Sequence, residues 1–238
     1  MKRIIENAKA EKRNLLEPEA KELFRSFGLP VQDFLIARSE AEAVAAAEKL
    51  GFPSVLKVVS PDILHKSDIG GVKVRLEDAA QVAAAYREIM ENARRMSAVG
   101  PVDGQADGPT GARVEGVLVA PYAREGIECI VGMTRDPQFG PALMFGMGGV
   151  LVEILKDVSF RVLPIEKRDA EEMVKEIAGF KLLSGVRGEA PRDVPAIVGF
   201  LLKTAGLVEG NPDIREIDVN PLMAYEKGVL ALDVRVIL

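Results

Sequence analysis

Cysteine and histidine each occur only once among the 238 residues. A single cysteine excludes a disulfide framework and any cysteine-based zinc site. A single histidine excludes a His-rich metal site. Cationic surplus is missing too: 31 Lys+Arg stand against 36 Asp+Glu, for a net charge of −5. Without a dense basic block, nucleic acid is not expected as the main partner. There is no long hydrophobic run. The uncharged stretch at residues 139–152 is interrupted by Gly140, Gly146, Gly148 and Gly149. It falls short of the roughly 20 apolar residues that a membrane span needs. Residues 1–20 are charged throughout and lack the apolar core of a secretory signal, so a cytoplasmic protein is expected. Hydrophobic residues make up 48% of the chain, enough for a core and too many for disorder. The length suits one large domain or two small ones.

Local patterns alternate between helix and strand. Pro18 can open a helix that Gly28 closes, with Ala20, Leu23, Phe24 and Phe27 on one face. Ser39 and Glu42 form a capping pair for a helix over 39–50, and Gly51 supplies its stop. An apolar strand follows at 54–59, then an alternating one at Val72, Val74 and Leu76, then helical spacing over 82–93. Residues 99–113 hold four glycines and two prolines and read as a linker. Beyond it, strands are expected at 114–120, 127–133, 142–147 and 158–164, and helices near 168–178 and 194–205. Strands over 214–220 and 229–237 close the chain. The expected architecture is α+β, with two lobes at 1–110 and 111–238.

Four features carry chemistry. Lys57 lies inside an apolar strand, where its charge is costly unless it meets an anion. The alternative is an edge strand with the ammonium in water. A loop ending in Gly70-Gly71 follows, and glycine lets backbone N–H groups approach phosphate oxygens. This loop leads into a strand, so it is not a P-loop. His65, the sole imidazole, lies in it beside Lys66 and Asp68. It is either a solvated loop residue or a carrier of a transferred group. Val117 to Tyr122 forms a strand that ends at a proline. The backbone of Val119 and Ala120 there could bond an adenine edge, with Glu128 beyond it placed to accept from ribose hydroxyls. Asp218 and Asn220 are two apart and share a strand face. A turn at Glu226-Lys227 would set Asn220 opposite Asp233, bringing three oxygen-bearing side chains together. Such a set suits Mg²⁺, although three solvated polar residues would look the same.

These segments resemble an ATP-grasp domain, and more closely the β subunit of ADP-forming acetate–CoA ligases, relatives of the succinyl-CoA synthetase β chain. The resemblance rests on 15–31, on Gly51-Phe-Pro-Ser-Val-Leu-Lys57, and on Leu64-His-Lys-Ser-Asp-Ile-Gly-Gly-Val72. It rests also on Asp218-Val-Asn-Pro-Leu222 with Asp233; Asp218 stands where the succinyl-CoA synthetase chain has Glu. The resemblance implies an ATP-grasp fold with the nucleotide held between two α+β lobes. It implies reversible conversion of acyl-CoA, ADP and phosphate to acid, CoA and ATP through phosphohistidine. His65 would carry the phosphoryl group. Lys57, Gly70, Gly71, Val119, Ala120 and Glu128 would hold the nucleotide, and Asp218, Asn220 and Asp233 would hold Mg²⁺. The CoA-binding α subunit would be a separate chain, in an α₂β₂ assembly, with the 142–155 stretch a candidate interface. The competing readings are another ATP-grasp carboxylate ligase and a non-catalytic nucleotide-sensing module.

Overall fold

A computed structural model describes residues 2–63, 65–98, 113–149, 157–186, 188 and 190–238. The linker expected over 99–113 therefore lies outside the described residues, save Arg113, as do residues 150–155 of the candidate interface. The chain divides into two compact units, Asp33–Ala123 and a discontinuous one made of Met1–Gln32 with Arg124–Leu238. This differs from the lobes expected at 1–110 and 111–238. The strand after the linker pairs back into the earlier sheet, and the N-terminal helices join the core of the later one.

The unit Asp33–Ala123 contains β1 (Leu35–Ala37), α3 (Glu40–Leu50), β2 (Ser54–Val59), β3 (Val72–Leu76), α4 (Ala79–Ala98) and β4 (Gly116–Pro121). Its sheet is antiparallel in the order β1-β4-β2-β3. Helix α3 starts as its capping residues predict, with the Ser39 hydroxyl accepting from Glu42 N–H at 3.2 Å. It stops at Gly51, whose φ is +96°. Leu56, Val58, Val117 and Val119 form one core with Ala43 and Ala47 of α3 and Val82 and Ile89 of α4. One face of the sheet is thus covered by the two helices.

The other unit contains α1 (Lys2–Ala10), α2 (Glu17–Ser26), β5 (Ile127–Asp136), β6 (Gly140–Met147), β7 (Val158–Val162), α5 (Lys167–Glu176), α6 (Phe180–Leu183), α7 (Val194–Glu209), β8 (Glu216–Ala224), β9 (Val229–Ala231) and β10 (Val234–Ile237). Its six-stranded sheet runs β10-β8-β5-β6-β7, with β9 also paired to β8. Alternation sorts its residues. Cys129, Val131, Phe145, Ile217, Val219 and Val236 pack against α2, α5 and α7. Leu23 and Phe24 of α2 are fully buried there, and burial stabilises each by about 1.5–3 kcal/mol. The same helix buries an ion pair, Lys21 with Glu17 at 3.1 Å. Such a pair contributes little net stability, so the apolar face holds α2 in place. Burial pushes the Cys129 thiol up to about 12 and keeps it inert in this core. Among the described residues no helix is long and apolar enough to cross a membrane.

Candidate functional site

Lys57 sits on β2, an inner strand flanked by β4 and β3, opposite Leu118 and Val72. It is 8% exposed. The edge-strand alternative is therefore excluded. Because Leu56 and Val58 face the helices, Lys57 projects from the opposite face of the sheet. An ammonium this deep needs an electrostatic partner to stay charged.

The loop from β2 to β3 places His65 in an exposed position. Its two glycines shape it differently from the expected phosphate cradle. Gly70 N–H donates to the Ser67 carbonyl at 3.0 Å, and Gly71 N–H donates to the Lys66 carbonyl at 2.7 Å. Both amides are therefore spent inside the loop. Gly70 has φ +65° and abuts Asn92 of α4. A Cβ on Gly71 would come 2.7 Å from Val58 Cγ1 and 2.8 Å from the Lys66 carbonyl. The glycines are required by this folding of the loop onto the sheet. Asn92, which sequence reasoning missed, donates to the Gly70 carbonyl at 3.5 Å, the long end of a hydrogen bond.

Val119 lies between Leu35 of β1 and Leu56 of β2, inside the ladder on both sides. Ala120 pairs with Val55 alone, one residue past the last β1 partner. The backbone edge is thus open from Ala120 rather than at Val119. Tyr122 follows, with Arg75 over its ring at 5.1 Å.

Glu128 is exposed on β5. Its carbonyl accepts from Gly148 N–H at 2.7 Å, and a Cβ on Gly149 would lie 3.3 Å from its Oε2. The Gly148-Gly149 turn thus rests against this carboxylate. Those glycines read in the sequence only as breaks in an apolar run.

The C-terminal strands meet the expected register. Asn220 N–H donates to the Asp233 carbonyl at 3.3 Å. Asp218 pairs with Arg235 on one side and with Gly132 on the other. Asp218, Asn220, Asp233 and Arg235 share the sheet face opposite the helices, because Ile217, Val219, Val234 and Val236 face the core. Burial first, and then the charge of Asp233, raise the Asp218 carboxyl above its ordinary range; Arg235 opposes them. Arg235 was missed, although the register that sets Asn220 against Asp233 also sets it against Asp218. The turn is anchored by Asp193, the N-cap of α7. Its carboxylate accepts from Ala196 N–H at 3.0 Å and from Gly228 N–H at 2.8 Å.

Among the described residues no three or more His, Cys, Asp or Glu side chains converge on a metal. The hairpin instead offers two carboxylates and an amide. That donor set fits Mg²⁺, which takes one or two protein carboxylates and leaves its other positions to phosphates and water. Asp218 sits in mutual repulsion with Asp233, a state that a divalent cation relieves.

Comparison with known proteins identifies the family of the chain. A family profile for the ATP-grasp domain matches residues 7–238. The chain is 48% identical over 235 residues to the β subunit of acetate–CoA ligase [ADP-forming] I of Pyrococcus furiosus, covering 99% of this chain and 96% of that one. Among solved structures it resembles the acetyl-coenzyme A synthetase 1 of Ca. Korarchaeum cryptofilum in complex with coenzyme A and Ca-AMPCP. The TM-score is 0.89 at 47% identity, over 98% of this chain and 97% of that one. A second structure of that enzyme holds coenzyme A and Mg-AMPPCP, with a phosphohistidine segment pointing towards the nucleotide binding site. It matches with TM-score 0.82 at 43% identity, over 99% of this chain and 98% of that one. The chain belongs to the ATP-grasp domain family, in the branch that includes the β subunits of ADP-forming acetate–CoA ligases.

Proposed function

We propose that the chain is the nucleotide-binding subunit of an ADP-forming acyl-CoA ligase, active with a separate CoA-binding α subunit in an α₂β₂ assembly in the cytoplasm. The overall reaction is acyl-CoA + ADP + phosphate ⇌ acid + ATP + CoA. Support comes from the β-subunit relatives and from the related enzyme crystallised with a nucleotide analogue.

His65 receives a phosphoryl group on a ring nitrogen from a phosphohistidine of the α subunit, whose own N–P bond breaks, and passes it to the terminal oxygen of ADP. The N–P bond breaks as the new O–P bond forms. Exposure of the imidazole suits a group that must meet a donor and an acceptor in turn. Lys57, buried on its inner strand, neutralises phosphate oxygens. The backbone beyond Val119, beginning at Ala120, takes the adenine edge, and Glu128 takes the ribose hydroxyls. Gly70 and Gly71 hold the loop in shape and lend no amide of their own to the phosphates. Asp218, Asn220 and Asp233 hold Mg²⁺, which when bound offsets the charge on the phosphates. Positioning and charge neutralisation are the main requirements of phosphoryl transfer, and this residue set meets both.

The observation that carries the reading is the Asn220–Asp233 backbone bond, which fixes the register and brings the three oxygen-bearing side chains to one sheet face. The test is reconstitution. The chain, mixed with its α companion from the same cell, is expected to form ATP from acetyl-CoA, ADP and phosphate. Tight Mg–ADP binding without ATP formation by the mixture would favour a nucleotide-sensing module instead.

A further inference from the structure

A cavity of about 510 Å³ opens in the discontinuous unit, and none of its lining residues is among those assigned above. Lys9, Lys12, Arg13, Arg135 and Arg215 line it, and Asp213 is the one carboxylate side chain among its lining residues. This is a dense positive concavity on a chain whose net charge is −5. Its place in the fold separates it from the hairpin site. Arg135 and Arg215 continue the alternation of Met133 and Ile217, on the helix-covered side of the sheet, whereas Asp218 lies on the other side.

Three of the five cations have local duties. Lys9 pairs with Asp213 at 2.6 Å. Arg13 makes a two-pronged contact with Glu19, at 2.6 and 2.8 Å. The Arg135 guanidinium donates to the Ile214 carbonyl at 2.8 Å and to the Val208 carbonyl at 3.3 Å, tying β5 to the last turn of α7. Lys12 and Arg215 are exposed and have no carboxylate partner among the described residues. Lys12 is also conformationally odd. It closes α1 with φ +51°, where Arg13 N–H reaches back to the Ala8 carbonyl at 3.1 Å. That left-handed cap position favours glycine, so a lysine there is kept at a backbone cost. Ion pairing and bonds to backbone carbonyls account for Lys9, Arg13 and Arg135 but not for Lys12 and Arg215.

We propose that this cavity binds a phosphate-bearing small molecule through Lys12 and Arg215, with the fixed guanidinium of Arg135 at its wall. The volume is that of an ordinary small-molecule site. Two uncommitted cations beside a fixed one suit a doubly charged oxyanion better than a carboxylate.

The probe is pyrophosphate without divalent metal, at constant ionic strength, followed by calorimetry on the full chain. Lys57→Met, which removes the phosphate contact proposed in the other unit, is expected still to bind pyrophosphate. Lys12→Gly and Arg215→Glu are each expected to weaken binding about tenfold or more, the scale of a lost charge-assisted hydrogen bond. Lys12→Gly relieves the left-handed strain, so its melting temperature should hold or rise while binding falls. A purely structural lysine would not produce that pair of results. No binding by wild type, loss of binding in Lys57→Met, or unchanged affinity in both Lys12→Gly and Arg215→Glu would each overturn the proposal.

Discussion

The loop around His65 and the hairpin around Asp218 solve different problems. The loop presents one imidazole with no substitute, on a segment whose shape is set by two glycines and held by Asn92. The hairpin spreads its task over Asp218, Asn220 and Asp233, on paired strands whose turn Asp193 anchors. A group that forms a covalent bond cannot be shared, whereas a cation shell can. The two regions should therefore respond to mutation on different scales.

The largest effect is expected at the loop. His65→Ala should lower ATP synthesis by the reconstituted enzyme by roughly a thousandfold or more, with Mg–ADP binding intact. Near-normal turnover would erase the contrast. The hairpin should degrade in steps. Asp218→Ala with Asp233→Ala should weaken Mg–ADP binding by roughly a hundredfold, and either single variant by about tenfold, measured by calorimetry.

Acid sharpens the hairpin side further. The Asp218 carboxyl is raised by burial and by Asp233, so the folded chain favours its protonated form. Metal-free stability should gain as pH falls through that raised value, and Mg²⁺ affinity should drop over the same window as the ion competes with the proton. Asp218→Asn should flatten both profiles. The smallest effect is expected from Asp193→Ala, which removes a helix cap and the Gly228 anchor. It should cost about 1–2 kcal/mol in chemical denaturation and weaken Mg²⁺ binding more than it alters His65-dependent transfer.

Much of the hairpin was legible because strand register is arithmetic: one turn position fixes every cross-strand partner. The same arithmetic contained Arg235, and only the attention to oxygen ligands hid it. The position of Lys57 was less legible. Apolar neighbours cannot distinguish an inner strand from an edge; pairing with both β3 and β4 decides it. The glycines misled for a different reason. Gly70-Gly71 signals close backbone approach, but composition does not say to what, and here the approach is to Val58 and the Lys66 carbonyl. The unit boundary also escaped, because β4 returns across the linker to the first sheet and α1 lies within a charged N-terminus whose apolar stripe is only Ile4, Ile5 and Ala8. The basic cavity could not be read at all, since its cations come from segments far apart in the chain.

The central claim is that the lone imidazole carries phosphorus. Incubating the reconstituted enzyme with Mg²⁺ and ATP labelled in the terminal phosphate, then separating the chains, tests it most directly. The account predicts acid-labile, base-stable label on this chain in the wild type and none in His65→Ala. Label that persists in the variant, or a wild-type chain that turns over while never acquiring label, would contradict it.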